Sequence, residues 1–183
     1  MSKKTTNQSG LKGFTIIEVV LVLAIAGLIF LMVFVALPAL QRSQRDTARR
    51  NDMSRVDTSL IQYQTNNQDT GNGDLPQGPS TWTGAASFGT SGCGNNVACK
   101  FVQRYMNSGT DSTTNTFKDP DGVYYSVNIG SGAWSNNLTA MDHTIYIRTG
   151  ARCSGETAVA AEPRHFAILY RLEGAGIYCI DDQ

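Results

Sequence analysis

Glu18 is the residue whose placement most demands a chemical explanation. It is the only charge in an otherwise apolar run from Phe14 to Leu40. A carboxylate in a segment that apolar costs a few kcal/mol to insert into hydrocarbon, so one that is kept there has a partner or a task. Five residues earlier lies Gly13, on the polar side of the run, after a leader that carries Lys3, Lys4 and Lys12 and no acid. A secretory signal is cut after its apolar region. Here the small residue comes first, so a cut after Gly13 removes the basic leader and keeps the apolar segment. Four cysteines follow: Cys93, Cys99, Cys153 and Cys179. An even number in an exported domain reads as two disulfides. Three pairings are possible. Cys93–Cys99 with Cys153–Cys179 is the expected one, because the first closes a short loop and the second ties down the C-terminus. Zinc is the competing reading, and no C-x-x-C spacing favours it.

The other groups that could do chemistry are sparse. His143 and His165 sit in strand-like contexts with no nucleophile motif beside them and read as structural histidines. The glycines follow turn logic, with no phosphate loop or dinucleotide fingerprint. A calcium site is conceivable at Asp119 with Asp121, or at Asp69, Asn72 and Asp74, although neither run has the EF-hand pattern. Asn137-Leu138-Thr139 is a glycosylation sequon of a kind common by chance. No catalytic residue and no cofactor are expected. From Asp69 onward there are 11 acids against 7 bases, so nucleic-acid binding is not expected from charge.

Several elements must position these residues. As a helix, residues 14–40 are roughly 40 Å long at about 1.5 Å per residue, enough to cross a hydrocarbon core of about 30 Å. Gly27 weakens the helix, and Pro38, which has no N–H to donate, is expected to kink or break it. Residues 41–66 lack Gly and Pro. Arg42, Asp46, Arg49, Arg50, Asp52 and Arg55 offer ion pairs three and four apart, read equally as a solvated face or as contacts between subunits. Met53, Val56, Leu60 and Tyr63 form one helical face that should rest on a sheet.

The domain boundaries expected are a leader over 1–13, a long helix over 14–66, a polar loop over 67–117, and a sheet with the second disulfide over 118–183. Within the loop, residues 97–106 read as a short helix capped by Asn96. Asp119-Pro120-Asp121-Gly122 is a turn. Strands are expected at 123–129, 144–149, 165–172 and 177–180, the last two joined by a hairpin turn at Gly174-Ala175-Gly176. Short connections suggest an antiparallel meander. The fold class is therefore α+β: a long helix packed on a four-stranded antiparallel sheet.

The residues Gly13, Phe14, Thr15, Ile16, Ile17 and Glu18, followed by an unbroken apolar run, resemble the type IV prepilin signature. The resemblance is tight over residues 10–45 and looser beyond. It implies cleavage after Gly13 by a prepilin peptidase, N-methylation of Phe14, and pairing of Glu18 with the terminal amine of a neighbouring subunit. It also implies the type IV pilin fold, with residues 67–117 as the variable loop between helix and sheet. In that family a glycine and a proline bracket a stretch of helix that can unwind. Gly27 falls at the usual glycine position, while Pro38 lies about three residues later than the commonest proline.

The implied partners are further copies of the chain, prepilin peptidase, a platform protein and an ATPase. The implied location is the cytoplasmic membrane as a single-pass precursor, then an extracellular filament. A major pseudopilin of a type II secretion system is the alternative within the family, and a non-polymerising membrane-anchored binding protein is the alternative outside it. A conventional signal peptide cut after Ala24-Ile25-Ala26 would strand Gly27 to Leu37 as an apolar N-terminus with nothing to bury it. Charge does not set the orientation, since three lysines on one flank face five arginines on the other. The resemblance and the cysteines place the soluble part on an oxidising side.

Overall fold

The computed structural model describes residues 13–67, 75–85, 87–89, 92–107, 113–134, 142–174 and 176–182. The chain divides into two compact units, Met1–Gln41 and Arg42–Gln183. Helix α1, Ile16–Asn66, contributes to both. In the first unit its residues are exposed almost without exception; only Ala26 is half-buried. Pro38, where a kink or a break is expected, lies inside α1, and the helix runs on through it without interruption. A proline in a helix frees one carbonyl, and α1 stays helical around it. Gly27 is likewise helical, with open space around its Cα. This stretch of α1 is long and apolar enough to cross a membrane, by length and composition.

In the second unit α1 buries one stripe: Asp46, Arg49, Met53, Val56, Ser59 and Leu60. Steps of three and four keep these on one side of a 3.6-residue turn. The apolar members meet Tyr125, Val127, Ile129, Ile145, Ile147, Phe166 and Ile168 in the main core. Tyr63, the next residue on that face, packs against the same core.

The sheet has five strands in the order β1-β2-β3-β6-β7: β1 Ser80–Trp82, β2 Ser126–Ser131, β3 Thr144–Thr149, β6 Phe166–Arg171 and β7 Ile177–Asp181. A separate two-stranded sheet pairs β4, Ala151–Ser154, with β5, Thr157–Ala160. The α+β class therefore holds, but a four-stranded antiparallel meander does not. β2 and β3 are parallel, in register from Ser126↔Thr144 to Ser131↔Thr149. A parallel pair needs a crossover of about a dozen residues to return the chain to the same end, and residues 132–143 supply it. β1 adds an antiparallel edge on β2. The first long strand starts later than its alternation suggests, because residues 119–123 close a tight turn: Asp119 N donates to Val123 O at 2.8 Å and Gly122 N to Asp119 O at 2.8 Å. Gly122 sits at φ +93, a conformation that favours glycine.

Alternation along β3 puts Ile145, Ile147 and Thr149 toward α1. The opposite face carries a smaller core of Trp134, Ala151, Ala158, Ala167 and Leu169, which explains why β6 is buried on both sides. After β1, α2, Val97–Phe101, starts at Asn96, whose side chain accepts from Cys99 N at 2.8 Å. It continues as a π-helical turn, Val102–Met106. The four cysteines form two disulfides, Cys93–Cys99 and Cys153–Cys179. No thiolate remains for zinc. Trp82 and Phe88 stack with ring centroids 5.5 Å apart and help hold the polar loop.

Candidate functional site

At the head of α1, Gly13, Phe14 and Thr15 precede the first helical turn. Gly13 is exposed, and nothing lies within 4 Å of where a Cβ would stand. Phe14 is 89% exposed. Thr15 and Glu18 satisfy each other. Thr15 N and Thr15 Oγ1 both donate to Glu18 Oε2, at 2.9 and 2.8 Å, while Glu18 N donates to Thr15 Oγ1 at 3.4 Å. This is a capping box, with Thr15 closing the helix and Glu18 reaching back from the third helical position. The T-x-x-E spacing was visible in the sequence, and it assigns Glu18 a local role that its isolation in an apolar run does not suggest. Among the described residues Glu18 Oε1 accepts no hydrogen bond. Phe14, Glu18, Val19, Val22 and Leu23 line a shallow apolar groove of about 480 Å³, so the half-used carboxylate sits at the edge of a surface shaped for apolar contact.

A second polar cluster lies wholly in the unit formed by Arg42–Gln183. Arg49 is 1% exposed, and hydrogen bonds to Asp119 raise its guanidinium above the ordinary value. Its Nε and Nη2 donate to the two oxygens of Asp119, both at 2.8 Å, the bidentate geometry that suits guanidinium and carboxylate. Its Nη1 donates to Asp46 Oδ1 at 3.1 Å and to Glu173 Oε2 at 3.2 Å. Asp46 in turn accepts from the backbone N–H of Glu173 and of Gly174, both at 2.9 Å. Any side chain at Gly174 would crowd that carboxylate, since a Cβ would stand 3.3 Å from Asp46 Oδ2. Arg45 clasps Glu173 from outside, with its Nε and Nη2 at 2.8 and 2.7 Å. The middle of α1 thereby holds the turn after residue 119 and the turn between β6 and β7. One turn further on, Tyr125 Oη donates to Asp52 Oδ2 at 3.0 Å.

These contacts correct part of the reading of residues 42–55 as a solvated face or as ion pairs between subunits, while Arg42, Arg50 and Arg55 stay exposed. Arg45, Asp46, Arg49 and Asp52 are committed within the chain. The missed signal was the step of three and four that joins Asp46 and Arg49 to the apolar face.

The electrostatics follow the geometry. Burial pushes the Asp119 carboxyl up. Hydrogen bonds from Arg49, Tyr170 and the Asp121 amide outweigh it and hold the group down at about 2. Arg45, and then Arg49, hold Glu173 down at about 2. Burial raises Asp52 and Asp57 instead.

Asp119, Asp121 and His143 bring ligand atoms within 4.8 Å of one another. They do not fit a calcium ion. Asp119 Oδ1 already accepts from Arg49 and from Asp121 N, and Oδ2 from Arg49 and Tyr170 Oη. All four lone-pair directions are used. The Arg49 guanidinium also stands 3.8 Å from Asp121 Oδ2, where it supplies the positive charge. Asp69, Asn72 and Asp74, and the sequon at Asn137, lie outside the described residues. His143 is not the satisfied histidine its context suggested: its Nδ1 is buried without a hydrogen bond, 3.9 Å from Asp119 Oδ2. His165 is engaged, with Nδ1 2.9 Å from Asp182 Oδ2 and Nε2 2.9 Å from Arg152 Nη2. No protein-family model, no curated protein and no solved structure matches the chain.

Proposed function

We propose that this chain is a structural subunit of a type IV pilus or a closely related filament, cleaved after Gly13 and polymerised through the apolar half of α1. The observation that carries the reading is the segment from Gly13 to Glu18, set at the head of a helix whose apolar side chains are exposed from Phe14 to Leu40. That much apolar surface does not persist in water and calls for lipid or for further copies of itself. Cleavage after Gly13 creates an ammonium on Phe14, four residues before Glu18. The capping box occupies Oε2 and leaves Oε1 for a donor from another copy. A pairing of that kind fixes the axial register between subunits, because any other stagger leaves both charges unpaired in apolar surroundings.

On this reading the precursor waits in the cytoplasmic membrane and prepilin peptidase trims it and methylates Phe14. A platform protein and an ATPase then drive it into an extracellular fibre. The protein is structural and not catalytic. The two disulfides and the long polar loop favour a pilus over a type II secretion pseudopilin, since both suit a surface-exposed fibre.

Mass analysis of sheared surface fibres tests the proposal. The expected result is an abundant chain that begins at N-methylated Phe14, with Gly13→Val leaving a larger, uncut precursor. A chain that stays in the membrane and still begins at Met1 would contradict it.

A further inference from the structure

Arg148, in the middle of the sheet, has no carboxylate partner among the described residues. It lies on β3 with Thr144 and Tyr146, on the face opposite α1. The residues level with it on the neighbouring strands are Gly130 and Ala167, so nothing larger than a methyl flanks it across the sheet. The guanidinium folds over Gly130, where any Cβ would collide with it. Trp134 and Tyr146 lie beside it, with their ring centroids 5.9 and 5.8 Å from the Arg148 Cζ. The side chain is half-buried, and its Nε is fully buried with no acceptor.

Charge has no local answer here. Among the described residues no acid pairs with Arg148. The nearest acid along the chain, Asp142, is engaged by Tyr146 Oη at 2.7 Å and Thr144 N at 3.0 Å. The linker 132–141 contains no acid in its sequence. Burial pushes the guanidinium down from its ordinary value, as expected for a cation that has lost water without gaining a counter-ion. Aromatic faces offset part of that loss by attracting the cation, but they accept none of its planar N–H donors. A buried donor without an acceptor is costly, and a carboxylate matches the edge of a guanidinium with two parallel hydrogen bonds.

We propose that Arg148, flanked by Trp134 and Tyr146, anchors a binding site for a single carboxylate on the outer face of the sheet. Two sources offer that chemistry: a small free carboxylate, or an Asp or Glu side chain of a second copy of this chain. The site does not depend on the filament reading.

The test uses the full isotope-labelled chain in detergent micelles and follows the Trp134 indole N–H and the Arg148 Nε–H by NMR. One series adds N-acetylglutamate amide, whose only charge is a side-chain-like carboxylate, against its glutamine counterpart at matched ionic strength. The other raises protein concentration with nothing added. A saturable shift in the first series alone identifies a free carboxylate. A shift in the second identifies a second copy. In either case Arg148→Gln should abolish the effect, and Arg148→Lys, which keeps the charge but loses the planar fork, should weaken it at least about tenfold. If neither series moves these signals, or if Arg148→Gln leaves the shifts in place, the site does not exist. The unchanged backbone spectrum of Arg148→Lys guards against loss of fold.

Discussion

Replacing Arg49 with methionine isolates the buried charge cluster, because the two side chains are similar in length and only the charge and donors are lost. The substitution removes both 2.8 Å hydrogen bonds to Asp119 and leaves that carboxylate 2% exposed, with only Tyr170 Oη and the Asp121 amide to hold it. Breaking a buried ion pair by deleting one partner costs about 3–5 kcal/mol, chiefly through the stranded charge. The bonds to Asp46 and Glu173 add little, since Asp46 keeps two backbone donors and Glu173 keeps Arg45. At about 3 °C per kcal/mol for a folded unit of this size, thermal unfolding should begin roughly 10–15 °C lower. Asp119→Asn in the same chain removes the stranded charge. The double variant Arg49→Met/Asp119→Asn should therefore recover at least about 2 kcal/mol relative to strict additivity. Near-ultraviolet circular dichroism of the full chain in micelles, followed against temperature for the wild type, both single variants and the double, reads all four corners. A fall of less than about 3 °C for Arg49→Met, or additive losses in the double variant, would refute the view that this pair is an internal clamp.

Acid should weaken the same clamp. Asp119 and Glu173 both have folded values of about 2, depressed from the ordinary carboxylate range. Their stabilisation is therefore complete above about pH 4.5 and is lost as pH falls toward 2, while Asp52 and Asp57, raised by burial, work in the opposite sense. The gap in melting temperature between wild type and Asp119→Asn should narrow from pH 6 to pH 2, and a constant gap would show that Asp119 is not the titrating group. The disulfides should rank by the loops they close. Removing Cys153–Cys179, which spans 26 residues, should cost about 3.5 kcal/mol, and removing Cys93–Cys99, which spans 6, about 2 kcal/mol. Denaturant midpoints of the paired serine variants in the opposite order would contradict this.

The parts of the fold that were legible in the sequence are those set by local rules. Met53, Val56 and Leu60 repeat at helical steps and do pack on a sheet. Asn96 does cap a short helix. The turn at Asp119–Gly122 forms where Pro and Gly require it. What escaped depends on partners distant in sequence. Arg49 looks like any surface arginine until Asp119, 70 residues on, supplies the carboxylate that permits its burial. β2 and β3 read as neighbours in a meander, because alternation reports which face a residue takes and not the direction of its neighbour. β4 and β5 are four residues each, too short for alternation to stand out, although Gly155 marks their turn. At the head of α1 the failure was of another kind. Thr15 and Glu18 carry a capping-box spacing that the strangeness of an acid in an apolar run obscured.

Glu18→Ala followed through to the fibre is the most direct measurement of the central claim. On the proposed function, cleavage needs only Gly13 and the leader, whereas assembly needs the carboxylate to meet an ammonium on another copy. The expected result is a protein that reaches the membrane and loses its leader, yet yields no surface fibres or fibres with altered subunit spacing. Normal fibres with the wild-type axial repeat, built from the cleaved variant, would show that Glu18 serves only its own helix cap.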